Sequence, residues 1–367
     1  ADPANSLTSE DELVKGPLSI LWYRDMDFDV PSRHGRAPSP LYHQGRIFHE
    51  GMNGLISVDA YNGNELWRYD IPDVLKAYDG DELMGVAGTG SNFCIGGGAV
   101  FVRDGKRCLQ LEASSGTLLA EYQTPVDEGA SPGTWGYIAY VDGVLFGTRA
   151  IDQHTVTYRY VNRGGDMSKL LTESSELFAI DAKTGDTLWR YQPKDAIRHN
   201  AIAIISDRVF LIDRPLAVFD REKKPKTRQH PTGRLVALDL RTGRPIWNND
   251  EDVFGTVLAA SEPHQVLLMS YQPTRFRLDS EVGGRLATFA LGDGKRIWDE
   301  EAQYASRPLI NDKTIYAQGG AWDLLTGASL QFDFDRSYGC GILAGSKHML
   351  VYRSATLGYW DLHEDHE

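Results

Sequence analysis

Arginine and histidine stand side by side at two places in this chain, Arg33-His34 and Arg198-His199. The planar guanidinium group of arginine binds carboxylates and phosphates through two parallel hydrogen bonds. An imidazole beside it can act as a general acid or base. The two pairs therefore predict a site for an anionic ligand, in which a base could remove a proton next to a carboxylate that arginine neutralises.

Similar side chains recur in the short polar segments that separate apolar runs. Candidate catalytic residues are His34, His199 and Tyr338. Candidate ligand- or cofactor-binding residues are Arg33, Arg36, Asn92, Trp135, Arg198, Asn200 and Arg307. The structural alternative for each arginine is that it bonds backbone carbonyls and acidic neighbours. The sequence predicts no metal site.

The elements that must position these residues are copies of one repeated unit. In LFAIDAKTGDTLWRYQP (177–193), an alternating run ends at Asp181, Gly185 follows four residues later, and Trp189 follows four residues after that. A short carboxylate can accept N–H bonds within a hairpin turn, and glycine supplies the positive φ that closes the turn. Related copies centre on Gly63, Gly116, Gly243, Gly294 and Gly327. Two copies lack the tryptophan and carry Ala120 or Gln331 instead.

Two further strand-like runs precede each glycine turn, as in AIAIISDRVFLID (201–213). Four strands repeated every 40 to 60 residues or so are typical of β-propeller blades. We therefore predict an all-β fold in which residues 1–367 form a single propeller domain of four-stranded antiparallel blades. Seven blades, beginning near residues 37, 88, 133, 198, 253, 305 and 339, are the simplest count, and eight is the alternative. We expect ILWYRD (20–25) to complete the last blade and close the ring, since closure removes an exposed sheet edge.

With the strands of a blade labelled A to D, the B–C loops and D–A connections leave from one rim. The Asp-x-x-x-Gly turns lie on the other rim. The candidate residues fall in the D–A connections, so we expect them at the mouth of the central channel. Three consecutive blades also carry long B–C insertions on this rim, at 151–175, 214–232 and 272–283. Long loops on one rim favour binding or lid formation, and the alternatives are loops without a function or contacts to a partner subunit.

Charge and composition exclude several classes of protein. The net charge of −13 argues against a nucleic-acid binder, which needs a basic field. No apolar run reaches the roughly 18 residues of a membrane-spanning helix. Cys94, Cys108 and Cys340 lie far apart with no CxxC spacing, which argues against zinc binding by cysteine.

The pattern Asp-Ala-x-Thr-Gly-x-x-Leu-Trp at 181–189 resembles the pyrroloquinoline-quinone-type propeller repeat, the tryptophan-motif blade. Quinoprotein dehydrogenases and the outer-membrane assembly lipoprotein share this repeat. The resemblance covers about residues 18–362, and ADPANS (1–6) resembles the opening motif of such propellers. It implies a periplasmic or secreted protein, with pyrroloquinoline quinone plus calcium as a cofactor to test and Trp135 as the candidate floor of a quinone slot. The adjacent cysteine pair that is usual in those dehydrogenases does not occur in this chain.

Three functional hypotheses follow. The first is a channel-mouth site for a small anionic or sugar-like ligand, with quinoprotein-type oxidation as its catalytic form. The second is a non-catalytic scaffold that binds protein partners. The third, by analogy of fold alone, is a propeller lyase acting on acidic polysaccharides.

Overall fold

The computed structural model describes residues 2–24, 38–75, 93–151, 173–215, 232–271, 284–334, 343–354 and 356–363. Within these ranges the chain forms 27 strands and no α-helix. The first three blades comprise β1 Leu41–His43, β2 Arg46–Gly51, β3 Gly54–Asp59, β4 Glu65–Asp70; β5 Phe93–Gly96, β6 Ala99–Asp104, β7 Arg107–Glu112, β8 Leu118–Gln123; β9 Trp135–Val141, β10 Val144–Ala150, β11 Glu173–Asp181 and β12 Thr187–Tyr191.

The remaining strands continue the same order. They are β13 Ala196–Ile204, β14 Arg208–Arg214, β15 Gly233–Asp239, β16 Pro245–Val253; β17 Val257–Ser261, β18 Val266–Ser270, β19 Arg285–Ala290, β20 Arg296–Glu301; β21 Leu309–Asn311, β22 Thr314–Ala317, β23 Gly320–Asp323, β24 Ser329–Leu330; β25 Ala344–Gly345, β26 Met349–Ser354 and β27 Thr356–Asp361. No helix of the described residues is long and apolar enough to cross a membrane.

Consecutive strands pair antiparallel, so the described strands fall into seven blades, six of four strands and a last one of three. The third and fourth blades are joined by a short ladder between β11 and β13. The predicted all-β propeller of four-stranded antiparallel blades is confirmed. Because strand direction alternates, the A–B and C–D turns share one rim, and the B–C and D–A connections share the other.

The predicted turn chemistry is also confirmed. At the third blade, the Asp181 carboxylate accepts hydrogen bonds from the backbone N–H groups of Lys183 (2.8 Å) and Thr184 (2.9 Å). Gly185 has a φ of 81° and donates its N–H to the Asp181 carbonyl at 2.8 Å. The hydrogen bonds from the N–H groups of Thr184 and Lys183 lower the pKa of the Asp181 carboxyl below its usual range. The carboxylate and the glycine thus fix the C–D turn locally.

Where a D strand carries tryptophan, one repeated contact fastens its blade to the next. Trp189 donates its indole N–H to the carbonyl of Leu240 at 2.9 Å and lies over Gly243 of the following blade. In every such contact the accepting carbonyl stands three residues before the glycine, which we call the docking glycine. The other contacts of this kind are Trp67 with Ala113 and Gly116, Trp247 with Leu291 and Gly294, and Trp298 with Leu324 and Gly327.

The N-terminal segment closes the ring. Trp22 donates to the carbonyl of Ala60 at 2.9 Å and lies over Gly63 of the first blade, so it occupies the position of a D-strand tryptophan. Residues 20–24 nevertheless form no β-ladder, and the last blade keeps three strands, β25 to β27. The indole contact, which needs one side chain, forms here without the backbone pairing that a full strand would add.

Candidate functional site

Five of the ten predicted site residues lie within the described part of the chain: Trp135, Arg198, His199, Asn200 and Arg307. The other five lie outside the described residues: Arg33, His34, Arg36, Asn92 and Tyr338. Most of each of the three B–C insertions lies outside them as well. The described candidates lie at the start of β9, on β13 and just before β21.

Three predicted residues, Arg198, His199 and Asn200, are consecutive on β13, the A strand of the fourth blade. Arg198 faces Glu173 of β11 across the ladder that joins two blades, with 3.5 Å between Nε and the carboxylate. The Glu173 side chain is nearly fully buried. Such a mostly buried ion pair holds the guanidinium group towards Glu173, because separating the two would leave a buried charge without compensation.

His199 belongs to a buried polar cluster between the third and fourth blades. Its Nε2 atom lies 2.8 Å from the hydroxyl of Ser174, which donates to Thr148 at 2.8 Å. Thr148 in turn accepts the backbone N–H of Tyr137 at 2.7 Å. The cluster closes over Gly136, where a Cβ atom would approach the His199 and Ser174 side chains to 2.7 and 2.8 Å. His199 is only 1% exposed, and its catalytic assignment stays a prediction.

The N-terminal segment contacts both Asn200 and Arg307 through Asn5. The side-chain amide of Asn5 donates to the backbone carbonyls of Asn200 (3.1 Å) and Leu258 (2.6 Å). Arg307 donates through Nη2 to the backbone carbonyl of Asn5 at 3.5 Å. Asn5 therefore links the fourth, fifth and sixth blades at one point.

Arg307 is the most unusual charge in this group. It is 7% exposed, its Nε atom has no hydrogen-bond partner among the described residues, and no ion pair forms with it there. Burial lowers the pKa of Arg307 to about 10, against the opposing effects of Asp2 and Tyr137. Burial also raises the pKa of Tyr137. At neutral pH the guanidinium group is therefore a buried cation.

Trp135 lies at the start of β9, inside the core between the second and third blades. Its ring is fully buried and packs edge-on against Phe178, with 5.1 Å between the centroids. Gly147 makes room for it, because a Cβ there would meet the indole at 2.3 Å. This packing leaves no open indole face among the described residues for a flat ligand.

The described residues do not fit pyrroloquinoline quinone with calcium. Within the described ranges, no group of three or more His, Cys, Asp or Glu side chains could hold a metal ion. The described cysteines, Cys94 and Cys108, are both buried and not joined to each other. Neither a carboxylate cage for calcium nor an open tryptophan floor is present in this part of the chain.

Two functional candidates at the ends of B strands escaped the sequence analysis. Arg214, at the end of β14, is buried and donates to the backbone carbonyls of Phe254 (3.3 Å) and Gly255 (3.4 Å). Glu50, near the end of β2, is fully buried, and neither carboxyl oxygen has a hydrogen-bond partner among the described residues. Burial raises the pKa of Glu50 to about 8, against the opposing charge of Arg103. A charged residue closing an apolar B strand was the available signal.

An open cavity of about 1500 Å³ lies on the opposite rim, between the N-terminal segment and the A–B turns. Its lining is rich in carboxylates, and two of them pair with basic side chains: Asp312 lies 2.7 Å from His264, and Glu12 lies 3.1 Å from Lys347. An acidic lining disfavours an anionic ligand.

Comparisons with known proteins place this geometry in a family. Residues 19–331 match the family model described as "Outer membrane protein assembly factor BamB". BamB from Nitrosomonas eutropha is 23% identical over 291 residues, which cover 76% of this chain and 54% of the relative. Quinohemoprotein alcohol dehydrogenase ADH IIB from Pseudomonas putida is 34% identical over 110 residues, covering 29% of this chain and 15% of the relative. The chain thus spans about half or less of the length of these two curated relatives.

Among solved structures, quinohemoprotein alcohol dehydrogenase from Comamonas testosteroni has a TM-score of 0.61 at 13% identity. The match covers 98% of this chain and 70% of that one. At so low an identity the likeness shows the propeller fold alone.

Proposed function

We propose that this chain, which belongs to the family of the outer membrane protein assembly factor BamB, is an extracytoplasmic ligand-binding propeller. The family consists of propellers with the pyrroloquinoline-quinone-like (PQQ-like) repeat and is related to quinoprotein dehydrogenases. The site of this chain lies at the channel mouth on the rim of the B–C loops. Its ligand is a small anion, such as a carboxylate, a phosphate or an acidic sugar.

Arg307 carries the proposal. Burying a charge without a partner costs several kcal/mol, and a buried guanidinium group normally pairs with a carboxylate or phosphate. Among the described residues Arg307 has a single long hydrogen bond, to the Asn5 carbonyl, and no ion pair. A bound anion would supply the missing charge and accept the unused N–H groups in a two-point contact.

The neighbouring groups suit the same ligand. Arg198 and Asn200 lie on β13, the A strand of the fourth blade, and Arg214 closes β14, the B strand paired with it. Arg214 lies towards the rim of the B–C loops, so it adds positive potential there in a protein whose net charge is −13. His199 then supplies the acid–base group if the ligand is also a substrate.

Calorimetric titration with D-galacturonate, phosphate and acetate tests the proposal. We expect saturable binding of at least one anion by the wild type. The variant Arg307→Gln should lose about tenfold or more in affinity, since charge-assisted hydrogen bonds contribute about 1.5–3 kcal/mol each. Arg244→Gln removes the same charge from an exposed C–D turn on the opposite rim and should bind normally. Equal binding by Arg307→Gln and the wild type would refute the site, and binding of pyrroloquinoline quinone with calcium alone would favour the quinoprotein alternative.

A protein-binding scaffold is the second candidate, and one observation favours it. The segment that runs from the A–B rim to the first blade exposes large apolar side chains, with Leu13, Ile20 and Tyr23 each at least 85% exposed. Leu357 on the adjacent edge strand β27 is 79% exposed. Apolar groups gathered on one surface are typical of protein interaction sites. Failure of every anion to bind in the titration would favour this reading.

A further inference from the structure

Two seams between blades lack their tryptophan, and one of these two keeps its docking glycine. At the seam between the second and third blades, the D strand β8 carries Ala120 where the equivalent strands carry Trp67, Trp189, Trp247 and Trp298. The docking glycine of the third blade, Gly185, is nevertheless present with its turn intact. The glycine turn that would receive an indole ring is therefore present, and the tryptophan that would supply the ring is absent.

The five occupied seams measure how closely an indole approaches a docking glycine. A Cβ atom built on Gly63, Gly116, Gly243, Gly294 or Gly327 would lie 2.6, 2.7, 2.5, 2.5 or 2.8 Å from the nearest indole atom. The nearest atom to the same position on Gly185 is a ring carbon of Tyr122, at 3.8 Å. The floor of this seam is thus open where the others are covered.

The seam is open but not collapsed, because Tyr122 takes over the hydrogen bond of the missing indole. Its hydroxyl donates to the carbonyl of Ala182 at 2.6 Å. Ala182 stands three residues before Gly185, which is the position of the accepting carbonyl at every occupied seam. The hydroxyl also lies 2.5 Å from the side-chain amide of Gln110. Tyr122 therefore forms one fixed wall and satisfies the buried carbonyl without filling the space above the glycine.

What remains is a cavity of about 420 Å³ lined by residues 120–123 and 183–185. We propose that this cavity, the Gly185 slot, binds a tryptophan side chain presented by a partner polypeptide. The occupant is inferred from the molecule itself: five sister seams of the same chain each hold an indole ring on the same glycine turn. In four of those seams the ring comes from an extended strand, so a polypeptide rather than a free metabolite reproduces the contact. Buried aromatic side chains in preformed pockets are also the commonest anchors of protein interfaces.

The slot lies near the C–D turn of the third blade, on the rim opposite the channel mouth. It therefore does not depend on the anion site, and either proposal can fail alone. Glu121 and Lys183 flank the slot as exposed charges of opposite sign, which is the arrangement of a polar border around an apolar anchor.

Saturation-transfer NMR on the full chain, with N-acetyl-L-tryptophanamide as the probe, tests the slot. We expect saturable binding with a dissociation constant of about 1 mM, as befits so small a ligand. N-acetyl-L-leucinamide should bind at least several-fold more weakly because it offers no ring to lie on the glycine. Equal binding of the two probes, or no saturation by the tryptophan probe, would overturn the proposal.

Two variants assign the binding to the slot. Ala120→Trp supplies the missing indole and should abolish probe binding while raising the Tm. Gly185→Ala places a methyl group on the floor of the slot and should weaken binding at least tenfold in a chain whose circular dichroism shows that it is folded. In the reverse direction, Trp67→Ala opens a second slot over Gly116 and should add binding. Unchanged binding by a folded Ala120→Trp or Gly185→Ala variant would show that the probe binds elsewhere and would overturn the assignment.

Discussion

Two buried ionisable side chains, Arg307 and Glu50, dominate the chemistry of single residues in this propeller. Arg307 stays charged in the interior because even a lowered pKa of about 10 lies well above neutral pH. Glu50 meets the same desolvation differently, because a carboxyl group can take up a proton and become neutral. Its pKa of about 8 means that the carboxyl is largely protonated in the folded chain at neutral pH.

Glu50 should therefore make stability fall as pH rises. Its pKa is raised from 4.5 to about 8 by folding, so the folded chain holds a proton that the unfolded chain releases in this interval. The contribution is fully present below pH 4.5 and is lost as pH rises to about 8, at no more than about 1.4 kcal/mol per pH unit. Urea unfolding of Glu50→Gln across this range should show a flatter pH dependence than the wild type. An unchanged slope, with the exposed Glu300→Gln as control, would contradict the assignment.

At the scale of the element, a local turn in one blade is completed by a tryptophan from another blade. Asp181 and Gly185 fold their own turn through contacts within five residues. The tryptophan that belongs with such a turn comes from the preceding blade, 54 residues away in the case of Trp189 and Gly243. The glycine is thus required twice, by its positive φ and by the indole ring above it.

Two alanine substitutions separate these requirements. Gly243→Ala and Gly185→Ala both place a Cβ at a positive φ (66° and 81°), which costs about 1–2 kcal/mol. Only Gly243→Ala also drives the methyl group into an indole ring, at 2.5 Å from Trp189. We expect Gly243→Ala to be the more destabilising by about 1–3 kcal/mol, as for other overpacked sites. Denaturant midpoints of the two variants measure the difference, and equal midpoints would mean that the indole moves aside freely.

At the scale of the whole molecule, the N-terminal segment acts as a tie across the ring. Its backbone carbonyls accept hydrogen bonds from the A strands of four successive blades near their A–B turns. These pairs are Pro3 with Ile204, Ala4 with Ala260, Ser6 with Ile310 and Leu7 with Gly345, at 2.8–3.0 Å. The same segment carries the Asn5 carbonyl that meets Arg307 and the Trp22 indole that docks on the first blade. Ring closure and the candidate site therefore share one piece of chain.

The Asn5 side chain should stabilise both the closure of the ring and the strands that carry the candidate site. Asn5→Gly keeps the backbone at its positive φ of 63° and removes only the side chain that bonds the carbonyls of Asn200 and Leu258. Two carbonyls lose their donor, so we expect a loss of about 1–3 kcal/mol in the free energy of unfolding. Trypsin cleavage after Lys15 or Arg24 should accelerate in the variant. Unchanged stability and cleavage would show that the segment is held by its backbone bonds alone.

The sequence by itself determined the blades, because Asp, Gly and Trp at fixed spacing encode turns and seams whose physics is local and repeated. It also located Arg198, His199 and Asn200 on one strand. The tertiary structure alone decided what those residues meet. Arg307 and Asn5 are 302 positions apart, and the burial that isolates Arg307 and neutralises Glu50 depends on neighbours from other blades. The open Gly185 slot was visible in sequence only as an alanine in place of tryptophan. The hydrogen bond by which Tyr122 keeps this seam open depends on packing in three dimensions. Desolvation and side-chain contacts are set by the whole fold rather than by spacing along the chain.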